Sequence, residues 1–460
     1  MDTRFLPHNT HRQDTGRFRE RDPQLAMLGR QHLIHRPSLL EKLPVSEPGI
    51  YLLGGGRQVG KTTLLKLWMA QLLERGVDPE NICFLSCEVI DDHHSLLRLL
   101  QDEIQGEPGR PADSLRFIIL DEVTYVREWD RAVKLAADAG MIQNVVLLIS
   151  GSDLSLIVEA RKQFPGRRGR ADVVDFTLRP LSFRESAQLN EPGLDSAALD
   201  SGRRPIHGQQ DLLYAQLRAY LAHGGFLTAM NDMARTGRIS AATLNTYSER
   251  IRGDVIRRGK KEESLREILG GIINRYGSQL TWNALSRDMS IEHPATVAGY
   301  VLLLSSMGAV LVLPALMEDK LAGAPKKARK VFFTDPFIFH AMRSWIRPAA
   351  GLQQSSIEEA IDDPELGSLL VEACVAAHYS RYFPTYYIKA AGEVDVAYVD
   401  RGRFWPVEVK WAGKFRAGDL KQVAKYPGAR ILSKTREITE LHGVPVEPLP
   451  LALFRLKGST

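Results

Sequence analysis

Gly55-Gly56-Arg57-Gln58-Val59-Gly60-Lys61-Thr62 fits the pattern G-x-x-x-x-G-K-[ST], the glycine-rich loop that wraps nucleotide phosphates. Its flanks agree. The apolar run Ile50-Tyr51-Leu52-Leu53 before it reads as a buried strand, and Thr62 to Leu73 after it reads as a helix closed by Gly76. Glycines let the backbone curl so that N–H groups and the helix N-terminus face an anion. On this reading the amides of Gly55, Gly56, Arg57, Gln58, Val59, Gly60, Lys61, Thr62 and Thr63 line the phosphates. Lys61 reaches the β/γ-phosphates, and the Thr62 hydroxyl holds Mg²⁺.

Working outward, Arg116-Phe117-Ile118-Ile119-Leu120-Asp121-Glu122 is a buried strand that delivers two carboxylates to its C-terminal edge, where ligands bind in open parallel sheets. Asp121 is expected in the Mg²⁺ shell, and Glu122 is expected to orient and deprotonate the attacking water. Val145-Val146-Leu147-Leu148-Ile149 ends in Ser150-Gly151-Ser152. Either serine could sense the γ-phosphate or the water by hydrogen bond, or simply cap a helix. In the basic loop Phe164 to Arg170, one of Arg167, Arg168 and Arg170 could stabilise charge on the phosphoryl group, in cis or from a neighbouring copy; a solvated charge run fits equally.

The 460 residues suggest about three domains. A net charge of +5 permits nucleic-acid binding without arguing for it. Cys83, Cys87 and Cys374 lie in apolar runs, as core thiols of a reducing cytoplasm would. No apolar run reaches membrane-spanning length, so a cytoplasmic protein without a membrane partner is expected. Residues 1–30, polar and Arg-rich, read as a flexible arm. Residues 31–190 alternate strands and helices, giving an α/β parallel-sheet domain. Residues 191–215 read as a linker, and 216–262 as helices broken at Gly224-Gly225, so that 191–262 is a linker and helical lid. Residues 263–345 hold three helices and two β-rich pieces, the pattern of a winged helix. The helix at recognition position, Ala295–Met307, carries no Arg or Lys, which favours packing over DNA reading.

Residues 346–460 read as a second α/β domain. Glu372 lies on the apolar helix Leu369–Ala377, Asp395 on the alternating strand Glu393–Val399, and Glu408 with Lys410 on the next strand. Three carboxylates and a lysine could converge on Mg²⁺ or Mn²⁺, with Lys410 steadying a nucleophile or charged transition state; alternating surface charge is the plain alternative. Gln422 and Tyr426, on an expected helix Ala417–Tyr426, could face the same cleft.

These motifs, from about residue 33 to 435, resemble the prokaryotic AAA-type ATPases of the archaeal-ATPase (STAND-related) lineage, which carry a C-terminal winged helix and a restriction-endonuclease-like PD-(D/E)XK domain. The loop and Leu120-Asp121-Glu122-Val123 with Trp129 look like the family's Walker A and B. Gly151-Ser152 looks like its sensor strand, with Ser150 where Thr is usual, and Gly169-Arg170 and Pro180-Leu181-Ser182-Phe183-Arg184-Glu185 like its closing motif. Gly224-Gly225-Phe226 (Leu227 follows where Pro is preferred) and Phe332-Phe333-Thr334-Asp335 also match, as do Gly367 to Glu372, Glu393-Val394-Asp395 and Val407 to Lys410. The resemblance implies an Mg²⁺-dependent ATPase with catalytic Lys61, Glu122, Ser152 and Arg170, whose nucleotide state governs a nuclease-like domain built on Glu372, Asp395, Glu408 and Lys410. Partners would be ATP, DNA, and a protein or a second copy of the chain. The alternative is a nucleotide-gated scaffold with an inactive nuclease fold.

Overall fold

The computed structural model describes residues 2–105, 114–153, 155, 162–201, 207–348, 353–411 and 420–458. They form two compact units, Met1–Arg179 with Ser306–Gly308, and Pro180–Ser305 with Ala309–Thr460.

In the first unit, β1 (Gly49–Gly54), β2 (Ile82–Ser86), β3 (Arg116–Asp121), β4 (Val145–Gly151) and β5 (Asp175–Thr177) form a sheet ordered β2-β3-β4-β1-β5. All its pairings are parallel. Parallel strands need crossovers, and the crossover helices bury both sheet faces, which is why these strands are continuously apolar. Along β3, Phe117 and Ile119 pack with Leu64, Leu65 and Trp68 of the helix Lys61–Glu74. Ile118 and Leu120 pack on the other face with Leu96 and Leu100 of His93–Gln105 and with Ala132 and Val133 of Trp129–Asp138. The register sets Leu53 beside Ser150, and Leu120 beside Ile149. The ends of β1, β3 and β4 therefore open side by side.

The N-terminal segment is not the loose arm its composition suggested. Phe5, Phe18 and Leu25 are buried in the two apolar layers. β2 is an edge strand, and its exposed amide and carbonyl need a partner. Asn9 supplies it: Nδ2 donates to the Phe84 carbonyl and Oδ1 accepts from the Phe84 amide, both at 2.8 Å. The fully buried Lys66 ammonium is held by Asp22 at 3.0 Å and by the His8 carbonyl at 2.5 Å. A polar, Arg-rich segment thus covers a sheet edge with a few apolar anchors and satisfied polar groups.

The second unit begins with the capped helix Phe183–Asn190. The expected linker is partly helical, at Ser196–Asp200 and in the first turns of His207–His223; residues 202–206 lie outside the described ones. Helices Leu227–Thr236, Ala241–Arg257, Glu262–Asn274, Trp282–Arg287 and Pro294–Ser306 follow. Then β6 (Val310–Pro314) pairs antiparallel with β9 (Arg329–Phe333), and between them β7 (Leu316–Met317) pairs with β8 (Ala322–Gly323). The last sheet contains β10 (Thr385–Lys389), β11 (Glu393–Asp400), β12 (Arg403–Lys410), β13 (Arg430–Ser433), β14 (Thr439–Leu441) and β15 (Val444–Pro448), ordered β10-β11-β12-β13-β15-β14. β12, β13 and β15 run parallel, and the other neighbours antiparallel. The expected helix Ala417–Tyr426 is corrected where it is described: Val423–Lys425 is a single 3₁₀ turn, and 417–419 lie outside the described residues.

The boundaries drawn at 262/263 and 345/346 do not separate compact bodies, because three motifs knit this unit together. Gly225 donates to Asp335 and accepts from Leu181, each at 2.9 Å. Gly224, at φ +57°, leaves no room for a side chain, since a Cβ there would lie 1.6 Å from Asp335 Oδ1. The Phe183 amide donates to His378 Nε2 at 2.9 Å. Burial lifts the Asp335 carboxyl to about 7, against the lowering pull of the Gly225 and Phe337 amides.

Candidate functional site

The loop between β1 and its helix turns through Gly60 at φ +95°, a conformation open to glycine and strained for other residues. A Cβ at Gly55 would lie 2.6 Å from the Leu178 carbonyl, so that glycine too is fixed by close backbone approach. Lys61, 5% exposed, folds back over its own loop. Its Nζ donates to the carbonyls of Gly55 and Gly56 at 3.1 Å and to Ser152 Oγ at 2.9 Å, and stands 3.4 Å from Glu122 Oε1. Burial draws the ammonium's pKa down, and Glu122 and Asp121 oppose this.

Thr62 Oγ1 donates to Asp121 Oδ2 at 2.8 Å, and Ser150 Oγ donates to Asp121 Oδ1. Burial raises the Asp121 carboxyl against the Ser150 hydrogen bond. Glu122 adopts a left-handed backbone at φ +55°, with its amide on Ser150 Oγ at 3.1 Å. That turn lets successive residues of one strand end point into the same site. Glu122 Oε1 accepts from Ser152 at 2.5 Å and lies 3.6 Å from Arg57 Nη1. Burial alone would raise the Glu122 carboxyl, but Lys61 and Arg57 outweigh it and hold it below the ordinary value. Its Oε2 is buried and accepts no hydrogen bond. The structure therefore brings Lys61, Thr62, Asp121, Glu122, Ser150 and Ser152 together. A threonine hydroxyl beside one carboxylate suits Mg²⁺, which takes few protein oxygens and completes its shell with phosphate and water. The donor set fits a magnesium–triphosphate.

The arginine loop lies elsewhere. Gly49, the first residue of β1, abuts the Arg168 carbonyl, which a Cβ there would meet at 2.6 Å. β1 spans roughly 16 Å at strand rise, and the phosphate loop leaves its other end. Arg167 pairs with Asp138 at 2.5 Å, and Arg168 pairs with Asp175. Both guanidiniums are thus engaged by carboxylates outside the Lys61 group, Asp175 standing opposite Leu52 of β1. Arg170 is exposed, one residue beyond Gly169, whose own Cβ would meet the Pro48 carbonyl at 2.6 Å.

In the second unit the helix Pro364–Ser380 packs on β11 and β12. Glu372 and Asp395 meet there, but around an ammonium that the motif reading missed. Lys330 of β9, 1% exposed, pairs with Glu372 at 2.7 Å and with Glu393, and lies 3.7 Å from Asp395. Burial would deprotonate Lys330, but Glu372, Asp395 and Glu393 outweigh it and keep it charged. Three acids share one lysine, and burial together with Asp395 pushes Glu372 up to about 8. Asp395 Oδ2 accepts from the Val409 amide at 2.9 Å. Glu408 is buried, bonded to Lys410 at 2.8 Å through Oε1, with Oε2 unbonded; burial raises its carboxyl to about 8. Among the described residues no three His, Cys, Asp or Glu side chains group as a metal would need. The expected ligand set Glu372, Asp395 and Glu408 is corrected accordingly, since Lys330 occupies the charge centre of two of its members. One signal was available: Lys330 ends a basic stretch and directly heads the apolar run Val331-Phe332-Phe333, where a buried lysine calls for a partner. Gln422 and Tyr426 bond each other at 3.0 Å, and Tyr426 donates to Glu318 at 2.9 Å.

Cys83, Cys87 and Cys374 are buried free thiols. Among the described residues no helix is long and apolar enough to cross a membrane.

Comparison with known proteins gives two family matches: residues 47–187 match an AAA domain, and residues 214–350 match a domain of unknown function, DUF8612. An uncharacterized protein of Haemophilus influenzae is 22% identical over 255 residues, which are 54% of this chain; the chain covers 56% of that protein's length. Among solved structures, the Walker-type ATPase PABY2304 of Pyrococcus abyssi is 16% identical at a TM-score of 0.42, over 66% of this chain and 92% of that one. The Aeropyrum pernix ORC2 protein is 13% identical at 0.35, over 71% and 94%. With the parallel strand order and the loop geometry, the match to residues 47–187 makes the segment an AAA-type P-loop domain.

Proposed function

We propose that the protein binds ATP with Mg²⁺ on residues 55–63 and hydrolyses it. One observation carries this reading: Thr62 bonds Asp121 and Lys61 pairs with Glu122 at the end of a curled glycine loop, the two carboxylates being successive residues. Lys61 would exchange the Gly55 and Gly56 carbonyls for phosphate oxygens. Thr62 and Asp121 would hold Mg²⁺, which neutralises phosphate charge when bound. Glu122 would take the proton of the attacking water, released from Lys61 as the ammonium turns to phosphate. Ser152, now between Lys61 and Glu122, would report the change. The test is phosphate release and ATP titration calorimetry on the pure protein with Mg²⁺. Absence of any heat with ATP or ADP overturns the reading.

For the second unit, the β6/β9 hairpin after three helices supports a winged helix, and the mixed sheet covered by Pro364–Ser380 supports a nuclease-like fold. Hydrolysis of ATP would then gate what this unit does. Lys330 favours the reading in which the unit binds and does not cut, because an ammonium already stands between Glu372 and Asp395 where a divalent cation would be needed. Incubation with Mg²⁺ or Mn²⁺ and single- or double-stranded DNA or RNA should leave every substrate intact. Cleavage that is lost in Lys410→Ala would restore the nuclease reading.

A further inference from the structure

β12 and β13 run parallel, with Lys410 in register with Ser433. The next residue on each strand, Trp411 and Lys434, lines a cavity of about 640 Å³ together with Tyr214, Arg218 and Arg436. The Tyr214 and Trp411 rings stack at 6.2 Å between centroids and 27° between planes, the loose end of the range for aromatic pairs. Lys434 Nζ lies over the Trp411 ring at 5.4 Å, and the Arg436 guanidinium over the Tyr214 ring at 5.3 Å. The Tyr214 hydroxyl donates to the Thr435 carbonyl at 2.5 Å, which fixes its ring.

Three cations and two aromatic rings at one cavity suit a ligand with flat rings and anionic links, whose phosphates would draw Lys434 or Arg436 off its ring and leave that face to a base. The counter-charges are weak competitors. Arg218 pairs with Asp362 and Arg436 with Asp211, in side chains that are all about half exposed; such pairs contribute little and yield readily to phosphate. Asp363, also in the wall, is engaged in capping its helix through the Leu366 amide at 2.7 Å. The cavity volume is at the scale of one small ligand or one nucleotide. In a duplex the ring faces are stacked within the helix, whereas a single strand leaves them free for aromatic side chains.

We propose that this cavity binds single-stranded nucleic acid, one base against Tyr214 and Trp411 and the flanking phosphates on Arg218, Lys434 and Arg436. This rests on the reading of the second unit as a binding module and is independent of ATP hydrolysis. The test is fluorescence anisotropy of labelled oligothymidylate and oligouridylate on the full chain, in low salt with a chelator and no ATP. Wild type and Lys61→Ala should bind alike, and a duplex of the same length at least about tenfold more weakly. Trp411→Ala should weaken strand binding about tenfold or more, and Trp411→Phe should restore most of it. Arg436→Ala should lower the salt slope by about 0.7. Preference between the DNA and RNA strands names the source. A strand bound equally by wild type, Trp411→Ala and Arg436→Ala sinks the cavity but leaves a binding module. No strand bound at all sinks both, and thymidine monophosphate bound as tightly as the strand makes this a mononucleotide site instead.

Discussion

Lys61 and Lys330 are both buried ammonium groups among acids, yet they are held by different kinds of partner. Lys61 is held by two backbone carbonyls, a serine hydroxyl and one carboxylate at 3.4 Å. Three of those four acceptors are neutral, and a charged phosphate oxygen outcompetes neutral ones. Lys330 is held by Glu372 at 2.7 Å, with Glu393 and Asp395 around it. An arriving anion gains nothing there, and an arriving cation must first displace an ammonium. One centre is built to exchange its partners, and the other already holds a cation among its acids.

The largest effect that tests this contrast is on turnover. Lys61→Ala should abolish ATP binding and hydrolysis. Glu122→Gln should keep ATP bound while slowing phosphate release by about 10²- to 10⁴-fold, as read by a filter-binding and a phosphate assay run side by side. Hydrolysis by Glu122→Gln at the parent rate would remove Glu122 from the role of base.

Next comes stability at the other lysine. Lys330→Ala leaves buried acids without a cation and should cost about 3–5 kcal/mol, seen in the urea transition of the second unit. The sign with pH follows from Glu372, already raised to about 8. A raised carboxyl stabilises the folded state below its unfolded value, and the contribution is lost as pH rises through the folded value. Without Lys330 the acids rise further, so the defect should be small near pH 4 and grow toward pH 8. A defect independent of pH would mean that Lys330 matters for packing and not for charge.

Asp335 gives a smaller, separable effect. Its carboxyl stands at about 7 through burial, so the stability it contributes below about pH 4 is lost between pH 4 and 7. Asp335→Asn should flatten that part of the stability profile. It should also cost about 1–3 kcal/mol, because an amide oxygen cannot accept from both the Gly225 and Phe337 amides as the two carboxylate oxygens do. An unchanged pH profile would assign the slope to other groups.

Legibility in the sequence followed the range of the interactions. β1, β3, β4 and the residues at their ends were readable because a parallel sheet writes itself as apolar runs, and the loop chemistry is local. Asp335 with Gly224-Gly225 was readable as motifs but not as contacts, since nothing in either segment says that a left-handed glycine must clear a carboxylate 111 residues away. Residues 1–30 were misread because Asn9 stands in for a strand through one amide side chain, which leaves no periodicity. Lys330 was missed because its partners come from a helix and a strand that follow it by more than 40 residues.

The smallest expected effect concerns the arginine loop, and it decides whether the phosphate site is complete within one chain. Arg167 is tied to Asp138, Arg168 to Asp175, which stands opposite Leu52 within β1, and Arg170 is exposed next to Gly169, which abuts the Pro48 carbonyl at the far end of the strand. A side chain reaches only a few ångströms, against roughly 16 Å of strand. Arg170→Ala should therefore leave hydrolysis in dilute protein within about twofold of the parent. A second copy of the chain could present Arg170 to this site, and then the rate per molecule would rise with protein concentration in the parent and stay flat in the variant. Equal, concentration-independent rates would confine the chemistry to Lys61, Thr62, Asp121, Glu122 and Ser152, groups that already touch one another.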